Sequence, residues 1–103
     1  MRHVFIVNPA AGKKRGALEL LPRIHAAFAG AEEGAYAIRV TRGAGDATAI
    51  AREECAGEGS VRLYACGGDG TLTETATGAA GCPRAQIAAV PCGSANDYVR
   101  SYG

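Results

Sequence analysis

The sequence predicts an α/β domain in three layers, with a mostly parallel sheet between helices on both faces. Short apolar runs typical of buried strands alternate with helical patterns, and this order is characteristic of parallel sheets. Polar and glycine-rich segments follow the strands, which is where ligands of such sheets bind. The 103 residues, 48% hydrophobic and 20% charged, fit one domain over residues 1–103.

The first half of the chain gives two strands and two helices. Residues 4–7 form a continuous apolar run that ends at Asn8. A helical pattern follows over residues 16–29, and Pro22 inside it predicts a kink or a late start. Residues 35–41 predict the second strand. Asp46 or a neighbour is expected to cap the second helix, which extends through Cys55.

The second half repeats the alternation. Residues 61–66 predict the third strand, and a glycine turn leads from it into a helix at about residues 71–80. Residues 86–90 predict the fourth strand, which Pro91 ends. Residues 94–102 indicate a turn that opens a short helix.

Composition excludes several classes of protein. The net charge of +1 gives no argument for a nucleic-acid partner. The four cysteines include no C-x-x-C pair and there are two histidines, which argues against a zinc site. Neither a signal peptide nor an apolar run of membrane-spanning length is present in the sequence. We therefore expect a cytoplasmic protein with reduced thiols.

The most informative segment is the glycine turn, residues 67–71. Three glycines in four residues let backbone N–H groups approach a ligand closely, and the following helix presents a positive dipole end, which suits phosphate. Phosphate repels Asp69, so this carboxylate fits either beside a bridging cation such as Mg²⁺ or as a residue that orders the loop. A tight strand-to-helix turn with an Asp cap is the alternative interpretation.

Other loops begin at the same predicted edge of the sheet. Asn8, after strand one, can offer an amide to a phosphate or a base, and a solvated basic turn is the alternative. Ser94, after strand four, is either a helix cap or a phosphate donor, and Asn96 and Asp97 are expected in the first helical turn, facing the same edge as Asp69. Thr41, after strand two, is a weaker candidate.

Together these segments resemble the diacylglycerol kinase catalytic domain family, which includes bacterial lipid kinases and sphingosine kinases. The family patterns N-P-x-[SA]-G, G-G-D-G-T-[LI]-N-E and P-x-G-[TS]-x-N-D-[FY]-[AV]-R match residues 8–12, 67–74 and 91–100. The second pattern is partly shared with NAD kinases and phosphofructokinases, and the third favours the lipid-kinase branch. The resemblance implies the Rossmann-like N-terminal lobe of the diacylglycerol kinase/NAD kinase fold.

The resemblance also implies ATP as phosphoryl donor, Mg²⁺ as its companion and a lipid hydroxyl, such as that of diacylglycerol, as acceptor. Asp69 matches the acidic residue that family members need for activity. The positions that match nucleotide-contacting or bracing residues are Asn8, Pro9, Ala10, Ala11, Gly12, Thr41, Gly67, Gly68, Asp69, Gly70, Thr71, Leu72, Thr73, Ser94, Asn96 and Asp97. The resemblance assigns no metal ligand to this chain.

Two departures from the family qualify this expectation. Thr73 stands where the family usually has Asn, and its hydroxyl lacks the paired donor and acceptor of an amide. Family members are also much longer, with a second β-sandwich lobe that holds the catalytic base and the lipid pocket. We therefore expect this chain to be the ATP-binding N-terminal lobe, inactive alone and prone to homo-oligomerise at an exposed sheet edge. Peripheral membrane contact is expected only of the complete enzyme.

Two other functions stay open on the sequence alone. Thr73 and the second lobe's absence from the sequence are also consistent with a non-catalytic nucleotide-binding module. A kinase of a soluble acceptor such as NAD is the other alternative, because the acceptor pocket lies outside the sequence.

Overall fold

A four-stranded parallel sheet forms the centre of the structure, with the strand order β2-β1-β3-β4. The structure is a computed structural model that describes residues 1–9 and 16–90. The strands are β1 (Arg2–Val7), β2 (Tyr36–Val40), β3 (Val61–Cys66) and β4 (Ala85–Val90). The parallel α/β fold that the sequence predicts is confirmed.

Three α-helices connect the strands in the described ranges. A 3-10 turn (Gly16–Leu20) leads into α1 (Leu21–Ala27), and α2 (Asp46–Cys55) and α3 (Asp69–Ala79) follow. Pro22 lies in the first turn of α1, where its missing N–H breaks no intrahelical bond, so the late start is confirmed. The helix predicted after Ser94 lies outside the described residues. No helix in those ranges has the length and apolar composition needed to cross a membrane.

The start of α2 agrees with the sequence prediction, whereas α3 begins earlier than predicted. Gly45, the neighbour of Asp46, is the N-cap of α2 and has a φ of +82°, a left-handed conformation that favours glycine. Gly68 is the N-cap of α3, so this helix begins at Asp69, ahead of the predicted start near Thr71.

Alternation along the central strands divides the core between the two faces of the sheet. On β1, Val4 and Ile6 pack against α2 and α3, whereas Phe5 and Val7 pack on the α1 side. The core cluster on the first face contains Val4, Ile6, Ala47, Ile50, Ala51, Val61, Leu63 and Ala79. The cluster on the second face contains Phe5, Val7, Leu20, Ile24 and Cys66. Helices on both faces therefore make the predicted three layers.

The packing of α2 against α3 depends on a glycine. A Cβ built on Gly78 would lie 2.8 Å from the Cβ of Ala51 and would overlap the carbonyl oxygen of Thr48. The absence of a side chain at Gly78 thus sets the distance between the two helices, as small residues do wherever helices approach closely.

A ring cluster fills the α1 side of the sheet near its amino-terminal edge. Phe5 stacks on Tyr64 with ring centroids 4.2 Å apart, and His3 lies 5.3 Å from the ring of Phe28. The Nδ1 atom of His3 is 2.8 Å from the hydroxyl of Tyr64. His3 is therefore half-buried among aromatic rings and hydrogen-bonded at the same time.

We predict that acidification destabilises the domain through His3. Burial, together with the positive charges of Arg62 and of the N-terminal amine, lowers the pKa of His3 from its usual 6.5. The folded state thus binds this proton more weakly than the unfolded chain. The stability that results is fully present above about pH 6.5 and is lost as the pH falls toward the folded-state pKa. The free energy of unfolding, measured with urea, should be lower at about pH 5.5 than at about pH 7.5.

The matched variants are His3→Gln and His25→Gln. His25 also contacts a tyrosine hydroxyl, that of Tyr36 at 2.8 Å, but it is exposed. The loss of stability with acid should be smaller in His3→Gln and unchanged in His25→Gln. Equal losses in wild type and His3→Gln would show that His3 is not the group responsible.

Candidate functional site

The four strands end level with one another, which places their following loops at one edge of the sheet. The register pairs Val7 with Val40, Val7 with Cys66, and Cys66 with Val90. Backbone bonds extend the pairing by one residue: Asn8 donates to Cys66 (3.0 Å), Thr41 to Val7 (2.8 Å) and Gly67 to Val90 (3.2 Å). Asn8, Thr41 and Gly67 therefore begin their loops side by side, as predicted from the sequence.

The strand order creates a crevice between the ends of β1 and β3. The connection after β1 leads outward to β2 over the α1 face, and the connection after β3 leads outward to β4 over the opposite face. Two neighbouring strands whose connections diverge in this way form a topological switch point, where open α/β sheets bind their ligands. The Asn8 loop and the glycine turn flank this crevice.

Gly67 lets the chain turn tightly from β3 into α3. It is buried, and a Cβ at this position would lie 2.9 Å from the Cβ of Thr71 and would overlap its Oγ1. Thr71 itself is only 5% exposed. Its side chain thus packs inward on Gly67, and Thr71 can offer an exposed ligand little beyond its backbone N–H.

Asn8 connects the two sides of the crevice. Its Nδ2 donates a hydrogen bond to Oγ1 of Thr71 at 3.3 Å, while its backbone N–H donates to Cys66. The amide that the sequence suggested for a phosphate or a base is used, in this structure, to hold the start of α3 against the end of β1.

The first turn of α3 is open at the surface. Gly68, Asp69 and Gly70 are exposed, and no side-chain hydrogen bond caps the helix within the described residues. The helical ladder begins with the N–H of Leu72, which donates to Gly68 at 3.2 Å. The N–H groups of the preceding residues therefore have no partner within the helix, and with the dipole they form a surface suited to an anion.

Hydroxyl groups along α3 differ in their availability. Thr73 is exposed, one turn into the helix from Asp69. Thr75 is fully buried, and its Oγ1 donates to the carbonyl oxygen of Thr71 at 2.8 Å. Thr77 makes the same bond to the carbonyl of Thr73. Thr73 is thus the α3 hydroxyl nearest the open helix start that remains accessible to a ligand.

The loop after β2 is fixed to α3. Thr41 is buried, and Asp46 Oδ2 accepts the backbone N–H of Arg42 at 2.9 Å. Glu74, on α3, accepts the N–H of Gly45 through Oε1 at 3.1 Å, and its carbonyl accepts the hydroxyl of Thr48 at 2.8 Å. Sequence reasoning quoted Glu74 within the second pattern but gave it no role.

Among residues 1–9 and 16–90, the carboxylate available to a cation at the open start of α3 is that of Asp69. No group of three His, Cys, Asp or Glu side chains comes together within residues 1–9 and 16–90. Mg²⁺ commonly binds through one or two carboxylates together with substrate phosphates and water. Within the part of the chain that the structure describes, a single exposed carboxylate beside a helix start suited to an anion fits that mode and does not fit an all-protein metal cage.

The structure places part of the predicted site and leaves part outside its range. Asn8, Pro9, Thr41 and the segment from Gly67 to Thr73 lie along the carboxyl edge of the sheet, with Leu72 half-buried. The other predicted positions lie outside the described residues: Ala10, Ala11, Gly12, Ser94, Asn96 and Asp97.

A separate apolar groove lies on the α1 face of the sheet. Its volume is about 300 Å³, and it lies between α1 and the strands β3 and β4. The lining includes Phe28, Tyr64, Ala88 and Val90, with Arg62 at its side. Its apolar character distinguishes it from the polar loop edge, where backbone N–H groups and Asp69 are exposed.

Comparison with known proteins shows which family the sequence matches. The model of the diacylglycerol kinase catalytic domain matches residues 2–103. A diacylglycerol kinase of Staphylococcus carnosus is 41% identical over 100 residues, covering 93% of this chain and 31% of that protein. A Pseudomonas aeruginosa protein named a probable lipid kinase, YegS-like, is 42% identical over 93 residues, covering 89% of this chain and 30% of its own length.

A solved structure is similar to this chain in both fold and sequence. The crystal structure of a diacylglycerol kinase from Bacillus anthracis superposes with a TM-score of 0.66 at 32% identity, covering 97% of this chain and 36% of that one. The chain thus spans about a third of the length of the relatives that it matches.

We predict that Gly67→Ala destabilises the fold, because the added methyl group must displace the buried Thr71 side chain. The expected loss is about 1–3 kcal/mol of unfolding free energy, measured with urea. Gly68→Ala is the matched control, since a Cβ there meets nothing within 4 Å. Because alanine is a poorer N-cap than glycine, Gly68→Ala should cost about 0.5 kcal/mol, less than Gly67→Ala. Equal stability of Gly67→Ala and wild type would contradict the close approach described above.

Proposed function

Because the chain belongs to the diacylglycerol kinase catalytic domain family, we propose that it binds ATP with Mg²⁺ at the carboxyl edge of its sheet. The complete enzyme would transfer the γ-phosphate to a lipid hydroxyl such as that of diacylglycerol. Relatives named as diacylglycerol and lipid kinases support the reaction class. The observation that supports the position of the nucleotide is the exposed, uncapped start of α3 at the switch point.

Phosphate binding at this edge follows from backbone geometry. The close contact of Gly67 with Thr71 turns the chain so that α3 starts beside the end of β1, and Asn8 holds it there. Exposed N–H groups of the first turn can then donate to phosphate oxygens, and the helix dipole favours the negative charge. In this proposal Asn8, Gly67 and Thr71 shape the loop, while Gly68, Asp69, Gly70 and Thr73 face the ligand.

Asp69 is the residue to which we assign the cation. A carboxylate beside phosphates is unfavourable by itself, and a bound Mg²⁺ removes that repulsion while neutralising charge on the transferring group. Asp69 is exposed and needs no conformational change of the buried core to reach a ligand. Its role in activity is the one that the family resemblance suggests.

The acceptor side of the reaction is proposed to depend on the rest of the enzyme. Phosphoryl transfer requires that donor and acceptor be positioned together. Since the relatives are about three times as long as the matched region, we assign the lipid pocket and the base to that additional length. We therefore propose that this chain binds nucleotide weakly and does not turn over alone. Contact with a membrane would come from the complete enzyme at the membrane face.

We predict that Asp69→Asn weakens binding of ATP in the presence of Mg²⁺ by about tenfold, the effect of losing one interaction of about 1.4 kcal/mol. Isothermal titration calorimetry on the purified chain, with and without Mg²⁺, measures this directly. The advantage that Mg²⁺ gives to wild type should disappear in the variant.

Glu58→Gln is the control, because Glu58 is an exposed carboxylate in the loop before β3, at the opposite edge of the sheet. It should leave the Kd unchanged. No binding by wild type, or the same Kd for Asp69→Asn and wild type, would contradict the proposed site.

A further inference from the structure

Two helices begin side by side at the carboxyl edge of the sheet. Both α2 and α3 follow parallel strands, and they pack closely at Gly78, where an added Cβ would lie 2.8 Å from that of Ala51. Their amino ends therefore both lie at the edge where we propose that the nucleotide binds. Because aligned helices direct the positive ends of their dipoles to the same side, these ends repel each other unless a negative charge lies between them.

Glu74 places a carboxylate at the amino end of α2. This half-buried side chain comes from the second turn of α3, and its Oε1 accepts the backbone N–H of Gly45 at 3.1 Å. Gly45 is the N-cap of α2 and has no side chain with which to cap that helix. The carboxylate of Glu74 therefore stabilises the start of a neighbouring helix, where the dipole favours negative charge.

The same bond holds the far end of the loop after β2. At the near end of this loop, Thr41 is buried and its N–H donates to the carbonyl of Val7 at 2.8 Å. Within the loop, Oδ2 of Asp46 accepts the N–H of Arg42 at 2.9 Å. These bonds fix the loop to β1 and to the first turn of α2, and the bond from Gly45 then fixes it to α3.

The contact with Glu74 brings the loop toward the open start of α3. Since β1 separates β2 from β3, a loop running straight on from β2 would lie about 10 Å from the end of β3. Gly45 instead reaches α3, and Gly70 lies one turn before Glu74 on the same helix face. The loop after β2 therefore borders the crevice together with the glycine turn and Asn8.

We propose that Glu74 is a positioning residue for the nucleotide, which orders the loop after β2 before ATP binds. This inference rests on the proposed function. Because the carboxylate of Glu74 is bonded to Gly45, it acts through the loop and not on the phosphates. A loop that is ordered in advance does not lose conformational freedom on binding, so affinity rises without a new contact to the ligand.

Two residues give this loop a connection with the nucleotide. Thr41 is one of the positions that the family resemblance assigns to nucleotide contact. Arg42 has a side chain that is 89% exposed, and its guanidinium adds positive charge to the edge where the phosphates are proposed to bind. Loosening the loop should therefore weaken the binding of ATP even though Glu74 lies outside the ligand.

Calorimetric titration of the full chain with ATP and Mg²⁺ measures the effect. Glu74→Met keeps a side chain of similar length but has no strong acceptor for the N–H of Gly45, and its Kd should rise about fivefold. Glu74→Gln keeps an acceptor oxygen, so its Kd should stay within about twofold of wild type. Rescue by the conservative variant would show that the bond to Gly45 is what matters.

Thr48→Val is the matched control for a merely structural role. Oγ1 of Thr48 donates to the backbone carbonyl of Glu74 at 2.8 Å, so this variant breaks a bond between the same two helices and leaves the Glu74 side chain in place. It should lower the urea midpoint and leave the Kd unchanged. The Gly45 amide, protected from hydrogen exchange in wild type without nucleotide, should exchange faster in Glu74→Met alone.

The outcomes separate this role from the nucleotide site itself. An unchanged Kd in Glu74→Met, with binding weakened in Asp69→Asn, would overturn the role of Glu74 and leave the site intact. No binding of ATP by wild type would overturn both. An equal rise of Kd in Thr48→Val would show that Glu74 acts only through helix packing. An unprotected Gly45 amide in wild type would decide against the proposal even where Glu74→Met fails to fold.

Discussion

The contact of Gly67 with the side chain of Thr71 is the constraint on which the geometry of the sheet edge depends. It brings the first turn of α3 directly behind β3, and the hydrogen bond from Asn8 to Thr71 joins that turn to β1 across the crevice. Thr71 is buried, so residues 67–71 divide into a part that packs in the interior, Gly67 and Thr71, and a part that faces solvent. Gly68, Asp69 and Gly70 are exposed because Thr71 points inward. The exposed start of α3, which we propose binds phosphate, is thus a consequence of a packing requirement at a single glycine.

A second close approach, that of Gly78 to Ala51 and Thr48, connects this edge to the rest of the molecule. It fixes α2 against α3, and Glu74 then reaches the N–H of Gly45 at the start of α2. The loop after β2 is therefore positioned by the same helix that begins at Asp69.

The sequence predicts the strands and helices well, because their patterns depend on residues that are close together along the chain. The bounds of β3 agree with the prediction, and the alternation of Val4 and Ile6 with Phe5 and Val7 indicates the two covered faces. Pro22 marks the late start of α1 for a reason that is local to the backbone.

What sequence reasoning missed depends on tertiary contacts. The bond from Gly45 to Glu74 joins residues distant along the chain, and only the position of Glu74 within the second pattern could have drawn attention to it. The inward orientation of Thr71 also could not be read from a pattern that treats each of its positions alike.

The central claim is that a nucleotide sits at the open start of α3, and NMR titration of the isotope-labelled chain with ATP and Mg²⁺ tests it most directly. Amide shifts should change most at Gly68, Asp69 and Gly70, with smaller changes at Asn8 and Thr41 and little change near Glu58 at the opposite edge. Changes centred instead on the apolar groove beside Phe28, with the glycine turn unaffected, would contradict the account.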